Sequence, residues 1–142
     1  MASEAEVERV YENALDMIQK TMGGGITSNF QLERAGRQLF GEHFAGAVPP
    51  SNLPPPRKHQ VLIVNTKDGR GEHWMLRYCG ARRGVWYDSF GRDPSALIDT
   101  PWITAHTEED DEQHLLEVNC GQRCLAAAVT GRVLGVEALK KL

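Results

Sequence analysis

The chain has 142 residues, 41% of them hydrophobic and 25% charged, with a formal net charge of -3. That length suits one domain with a real core, and the composition excludes a disordered or collagen-like chain. No apolar run reaches the ~18 residues of a membrane span, and the N-terminus lacks the charged-then-apolar order of a secretory leader, so neither is expected.

Ser3 followed by Glu6 has the spacing of a capping box, and Val7, Val10, Tyr11, Ala14, Met17 and Ile18 continue at helical spacing. This predicts an amphipathic helix ending at a flexible break, Gly23-Gly24-Gly25, and packed on the main body. A second box, Ser28 with Gln31, predicts a helix through Leu39 or Phe40 closed by Gly41. Residues 44–56 hold five of the chain's seven prolines and read as an ordered, polyproline-like connector. Gln60 to Thr66 is a short, apolar, β-branched run of the kind a buried central strand needs. Residues 67–72 turn, His73 to Tyr78 forms the next strand, and after a turn at 80–84 a third strand runs from Val85 to Phe90. Three strands in a meander between helices predict an α+β fold with an antiparallel sheet. Residues 93–111 are weakly patterned, with a helical turn at Pro94 to Ile98.

Charge is unevenly spread. Eight lysines and arginines lie between Arg57 and Arg92, whereas the first twenty residues and the stretch from Glu108 to Glu117 are acidic. Such asymmetry can mark a nucleic-acid footprint, but without aromatic interleaving or a known motif a solvated sheet face is the simpler expectation.

The three cysteines, Cys79, Cys120 and Cys124, form no C-x-x-C pair and no zinc-like cluster with histidine. Free thiols in a reducing compartment are expected, with no metal or cofactor required. Asn119 is a favoured N-cap residue and Gln122 stands three positions on, so a helix opens at Cys120 and runs through Leu125 and Val129 towards Val133. A thiol at a helix N-terminus meets the positive end of the dipole, which favours thiolate. Gly121 beside it permits close approach of another backbone or a substrate. Cys124, one turn on, reads as packing, and Cys79 at a strand end as structural.

His73 at the start of one strand and Asp88 in the far part of its hairpin partner can lie side by side. A carboxylate so placed orients an imidazole and steadies its protonated form. If the Cys120 helix abuts that edge of the sheet, the three make a thiolate–imidazolium nucleophile. The Cys120 backbone N–H and the Gln113 side-chain amide are candidate donors to an oxyanion. His106 and His114 sit on no rigid element and are weaker candidates for the base.

His73-Trp74, then Tyr87-Asp88-Ser89-Phe90-Gly91, then Gln113 seven residues ahead of Cys120-Gly121, resemble the adenovirus protease (adenain) family. That family has His-Trp, an acid followed by x-Phe-Gly, and a Gln at the same distance before Cys-Gly. Thr27-Ser-Asn through Leu39, Phe44-x-Gly46 and Ile63-Val-Asn-Thr66 extend the likeness upstream, so that it covers roughly residues 26–128. The resemblance implies a papain-like/adenain-like cysteine protease fold over residues 1–142, with 1–22 as an N-terminal helical extension. It implies His73 as general base, Asp88 as its orienting acid, Cys120 as nucleophile and Gln113 as oxyanion-hole residue. The implied activity is that of a viral cysteine endopeptidase, cutting after glycine in viral precursor polypeptides during virion maturation, in the host nucleus and the virion. DNA and a viral activating peptide are the implied cofactors, and Trp74 or Phe90 the implied walls of a narrow cleft.

Three departures stand out. The family's acid is commonly Glu. Residues 90–112 hold no cysteine, where the family joins its activating peptide by a disulfide. The N-terminal helix is expected to supply part of the support that a longer C-terminal half gives the family. The alternatives are a deubiquitinating or SUMO-type protease, which shares the His, Asp, Gln, Cys order and cuts after Gly-Gly, and a non-catalytic binding module that keeps the fold.

Overall fold

The first two helices open where their serines place them. In the computed structural model, which describes residues 2–25, 27–65, 73–88, 103–106 (backbone only) and 119–142, helix α1 spans Glu4–Met22 with Ser3 as its cap, the Ser3 hydroxyl accepting from the Glu6 N–H at 3.1 Å. Helix α2, Asn29–Phe40, carries both halves of the box: Ser28 Oγ accepts from Gln31 N–H, and Gln31 Oε1 accepts from Ser28 N–H. The third helix, α3, spans Cys120–Leu134 as its alanine-rich run predicts.

The strands are β1 (Phe44–Val48), β2 (Val61–Asn65), β3 (Trp74–Cys79), β4 (Gly84–Tyr87) and β5 (Ile103–His106), hydrogen-bonded in that order in one sheet. The expected meander is its centre: β2 pairs antiparallel with β3, and β3 with β4. The edges correct the purely antiparallel expectation. β1 pairs parallel with β2, and β5 parallel with β4, so the fold is α+β with a mixed sheet. Residues 44–48 are therefore strand rather than connector. The prolines belong to the crossover 49–60, and a crossover of a dozen or so residues is what a parallel pair requires. The residue alternation also identifies the two faces. Val61, Ile63, Trp74, Leu76, Tyr78, Val85 and Tyr87 join the main core with the helices, whereas Leu62, Val64, Met75 and Trp86 form a second apolar layer under Leu53 of the crossover.

Arg77 corrects the reading of the basic middle as a solvated face. Its side chain is 1% exposed and lies under the crossover, donating to the Pro54 carbonyl at 2.8 Å and to Gln60 Oε1 at 2.6 Å. Gln60 Nε2 in turn donates to the Pro55 carbonyl. A segment rich in prolines has few N–H groups to offer a sheet, so these buried side chains fix it instead.

Helix α3 is the buried centre. Leu125, Ala126, Ala127 and Ala128 are fully buried, and α1 packs along α3 through Val7, Tyr11, Ala14, Leu15 and Ile18. Leu15 replaces Met17 in the predicted stripe; Met17 is 51% exposed. Small residues let α3 lie close to the sheet: a Cβ on Gly131 would stand 2.9 Å from the Tyr78 ring. The far end of α3 turns at Gly135 into a 3-10 turn, Val136–Lys141, that buries Ala138, Leu139 and Leu142. Lys141 reaches the Ala2 carbonyl, so α1 and this turn brace that end together. Truncating Leu125 to Ala should cost about 2–5 kcal/mol in denaturant unfolding, whereas Val133→Ala, at a position 63% exposed, should change it by no more than about 0.5 kcal/mol.

Candidate active site

The N-terminus of α3 meets the sheet at Trp74, the first residue of β3. β4 ends at Tyr87, which pairs with Leu76, two residues on from Trp74. The two cysteines of α3 bond the Trp74 backbone. Trp74 N–H donates to Cys120 Sγ at 3.4 Å, and Cys124 Sγ donates to the Trp74 carbonyl at 3.3 Å. The i, i+4 spacing of the thiols is the helical repeat that lets both reach one residue. Cys124 is thus a structural donor. Its burial, with the nearby Cys120 and Asp88, pushes its thiol pKa well above the ordinary value. Burial likewise raises Cys79, against the pull of Arg77.

His73 stands one residue before β3 and Asp88 one residue after β4. Extending the register puts Asp88 opposite Met75, two residues from His73, a diagonal pair at one end of the hairpin. There His73 Nε2 and Asp88 Oδ1 are 2.7 Å apart, with the residues 3% and 1% exposed. The Cys120 side chain stands close enough to act on the same imidazole. Burial alone would lower the His73 pKa, but the bonds and charges of Asp88 and Cys120 outweigh it and raise it from 6.5 to about 9. The three predicted side chains Cys120, His73 and Asp88 therefore meet, in an order that can pass a proton between sulfur and ring while the carboxylate holds the ring.

Gln113, the fourth predicted residue, lies outside the described residues, as do Phe90 and His114 and the side chain of His106. Two local expectations at the helix start are corrected. Asn119 makes no side-chain cap bond; its Oδ1 accepts from Arg123 Nε at 3.1 Å. Gln122 does not close a box but reaches back to α1, donating to the Gly23 and Gly25 carbonyls at 2.8 Å each. The triple glycine is thereby tied down rather than left as a flexible break. Gly121 is required for packing: a Cβ there would stand 2.4 Å from Thr27 Oγ1 and 2.9 Å from Leu32 Cδ2.

A cleft of about 310 Å³ adjoins the site, lined by Ser28, Asn29, Ala47, Val48, Pro49, Asn65 and Trp74. Trp74 is both a core residue and a wall of this cleft, and Asn65 carries a buried side-chain oxygen with no partner among the described residues. Three contributors escape motif reading: the Trp74 main chain, Arg123, and the pair Tyr11 and Tyr87, whose hydroxyls are 2.8 Å apart. Only Tyr87 carries a signal, its adjacency to Asp88. Among the described residues no group of three His, Cys, Asp or Glu side chains is arranged to hold a metal ion, and no helix is long and apolar enough to cross a membrane.

The raised His73 value carries a sign. Its charged form contributes stability that is complete below about 6.5 and is lost as pH climbs through about 9. The unfolding free energy should fall across that window, and the fall should shrink in Asp88→Asn, where burial is opposed by one partner fewer. Imidazole NMR should find His73 titrating near 9 in the parent and lower in the variant; an unmoved titration would break the link between Asp88 and His73.

No family model, curated protein or solved structure matches the chain.

Proposed function

We propose that this chain is a cysteine endopeptidase with a papain-like, adenain-like arrangement, acting through Cys120, His73 and Asp88. The observation that carries the reading is the buried 2.7 Å His73–Asp88 bond on an imidazole that also feels the Cys120 side chain, at a helix N-terminus. A stray core cysteine needs neither a charged-pair partner nor a catalytic acid behind it; a nucleophile needs both.

In the reaction Cys120 Sγ attacks the scissile carbonyl and the carbonyl oxygen takes up negative charge. Backbone N–H groups of the first turn of α3 stabilise that oxyanion, with Gln113 as the second donor implied by the family resemblance. The C–N bond breaks as His73 gives its proton to the leaving amine, leaving a Cys120 thioester. Water, deprotonated by His73, then attacks the thioester; the acid product leaves and the sulfur and imidazole return to their starting state. Asp88 holds the ring throughout. By the same resemblance the substrates are viral precursor polypeptides cut after glycine. The cleft walled by Trp74, whose backbone bonds both thiols of α3, is the candidate binding surface for the substrate chain. DNA as a cofactor rests on the resemblance and on the exposed Arg57, Lys58 and Arg82.

The test is turnover of a Gly-Gly fluorogenic peptide, of ubiquitin and SUMO conjugates, and of precursor-type peptides. Cys120→Ala should abolish cleavage, Cys124→Ala should leave the nucleophile in place, and His73→Ala should lower kcat/KM by about 10²- to 10⁴-fold. Preference for ubiquitin or SUMO adducts would move the assignment to that class of protease. Absence of any turnover, with Cys120 unreactive towards a thiol-directed probe, would leave a binding module.

A further inference from the structure

Asn119 occupies the N-cap position of α3 yet does not cap it. A capping Asn has an extended backbone and accepts from the N–H two or three residues on. Asn119 has φ -101° and ψ 28°, near the sparsely populated bridge region, and makes no cap bond. The same chain caps α1 with Ser3 and α2 with Ser28, so the helix that bears Cys120 is the exception. What holds Asn119 away is Arg123. Its Nε donates to Asn119 Oδ1 at 3.1 Å, whereas the Asn119 carbonyl accepts only the ordinary first helical bond, from Arg123 N–H.

Arg123 is itself anchored from α1, where its Nη1 donates to the Tyr11 hydroxyl at 3.1 Å. A guanidinium has donors only, so the Tyr11 oxygen accepts here, and the Tyr11 and Tyr87 hydroxyls share a further hydrogen bond at 2.8 Å. Tyr87 directly precedes Asp88. One hydrogen-bonded chain thus runs from Asn119, beside the nucleophile, through α1, to the strand end beside the acid.

We infer that Arg123, anchored by Tyr11, is a positioning residue that withholds the Asn119 carboxamide from the first turn of α3 and so leaves those amides for the oxyanion. This rests on the acyl-transfer reading above. Such donors serve only if they are unfilled and already oriented before charge develops, because reorienting them during reaction would forfeit most of their effect. An Asn119 free to cap would compete with the oxyanion for the same N–H groups.

The test compares two reactions of the same sulfur. Peptide hydrolysis develops an oxyanion; alkylation by iodoacetamide, a displacement at saturated carbon, develops none. Arg123→Met keeps the stem and removes the donors. It should lower kcat by roughly 10-fold or more with KM nearly unchanged, while the alkylation rate of Cys120 stays within about two-fold. Tyr11→Phe, a smaller change that keeps the ring, should show the same split in weaker form. In Arg123→Met the amides of Gly121 and Gln122 should also exchange more slowly by NMR, because Asn119 becomes free to cap them. Equal loss of hydrolysis and alkylation, an unchanged kcat, or unchanged exchange at both amides would overturn the inference. If the parent hydrolyses no acyl substrate the peptidase reading fails, and the exchange of those two amides still decides the role of Arg123.

Discussion

A carboxylate and an imidazole held together almost out of reach of water set the terms for this structure. Either group alone at the depth of His73 and Asp88 would lose its charge, because removing an ion from water costs more than the interior returns. Together they are tenable only if the geometry is kept tight and the second face of each group is also satisfied. The hairpin of β3 and β4 supplies the first condition by fixing both residues at one end of a short register. The start of α3 supplies the second by bringing Cys120 to the imidazole.

That placement of α3 follows from residues whose importance is geometric. Two thiols one turn apart grip the backbone of one residue, Trp74, at the start of β3. Gly121 and Gly131 let the helix approach α2 and the sheet, and the alanines between them keep it thin enough to be covered by α1. Gln122 fastens the exit of α1, and Lys141 its entry, to the two ends of the α3 segment. The N-terminal helix is thus part of the framework around the site, and its Tyr11 enters the polar network directly.

Much of this could be read from residues alone, and the reasons for the failures are physical. The serine caps, the central strands and the run of α3 are local signals, set by short-range hydrogen bonds and periodicity, and they were readable. So was the meeting of His73 with Asp88, because an antiparallel hairpin fixes which residues adjoin. The parallel edge strands were not, since their partners are chosen by crossovers and the sequence near β1 is dominated by its prolines. The missing cap at Asn119 was unreadable for a related reason. Local spacing favours a cap there, and a side chain one turn ahead, itself held from another helix, overrides it. Arg77 shows the same limit: charge in a sequence reads as surface until the fold provides buried acceptors for it.

The central claim is that this framework singles out one of three buried cysteines as a nucleophile activated by His73. The direct measurement is mass-spectrometric mapping of the site labelled when the folded protein meets a limiting amount of iodoacetamide at neutral pH, with His73→Gln alongside. The account predicts labelling at Cys120, with Cys79 and Cys124 untouched, and a large drop in the His73→Gln protein. Labelling spread over the three cysteines, or labelling of Cys120 that is indifferent to His73, would contradict it.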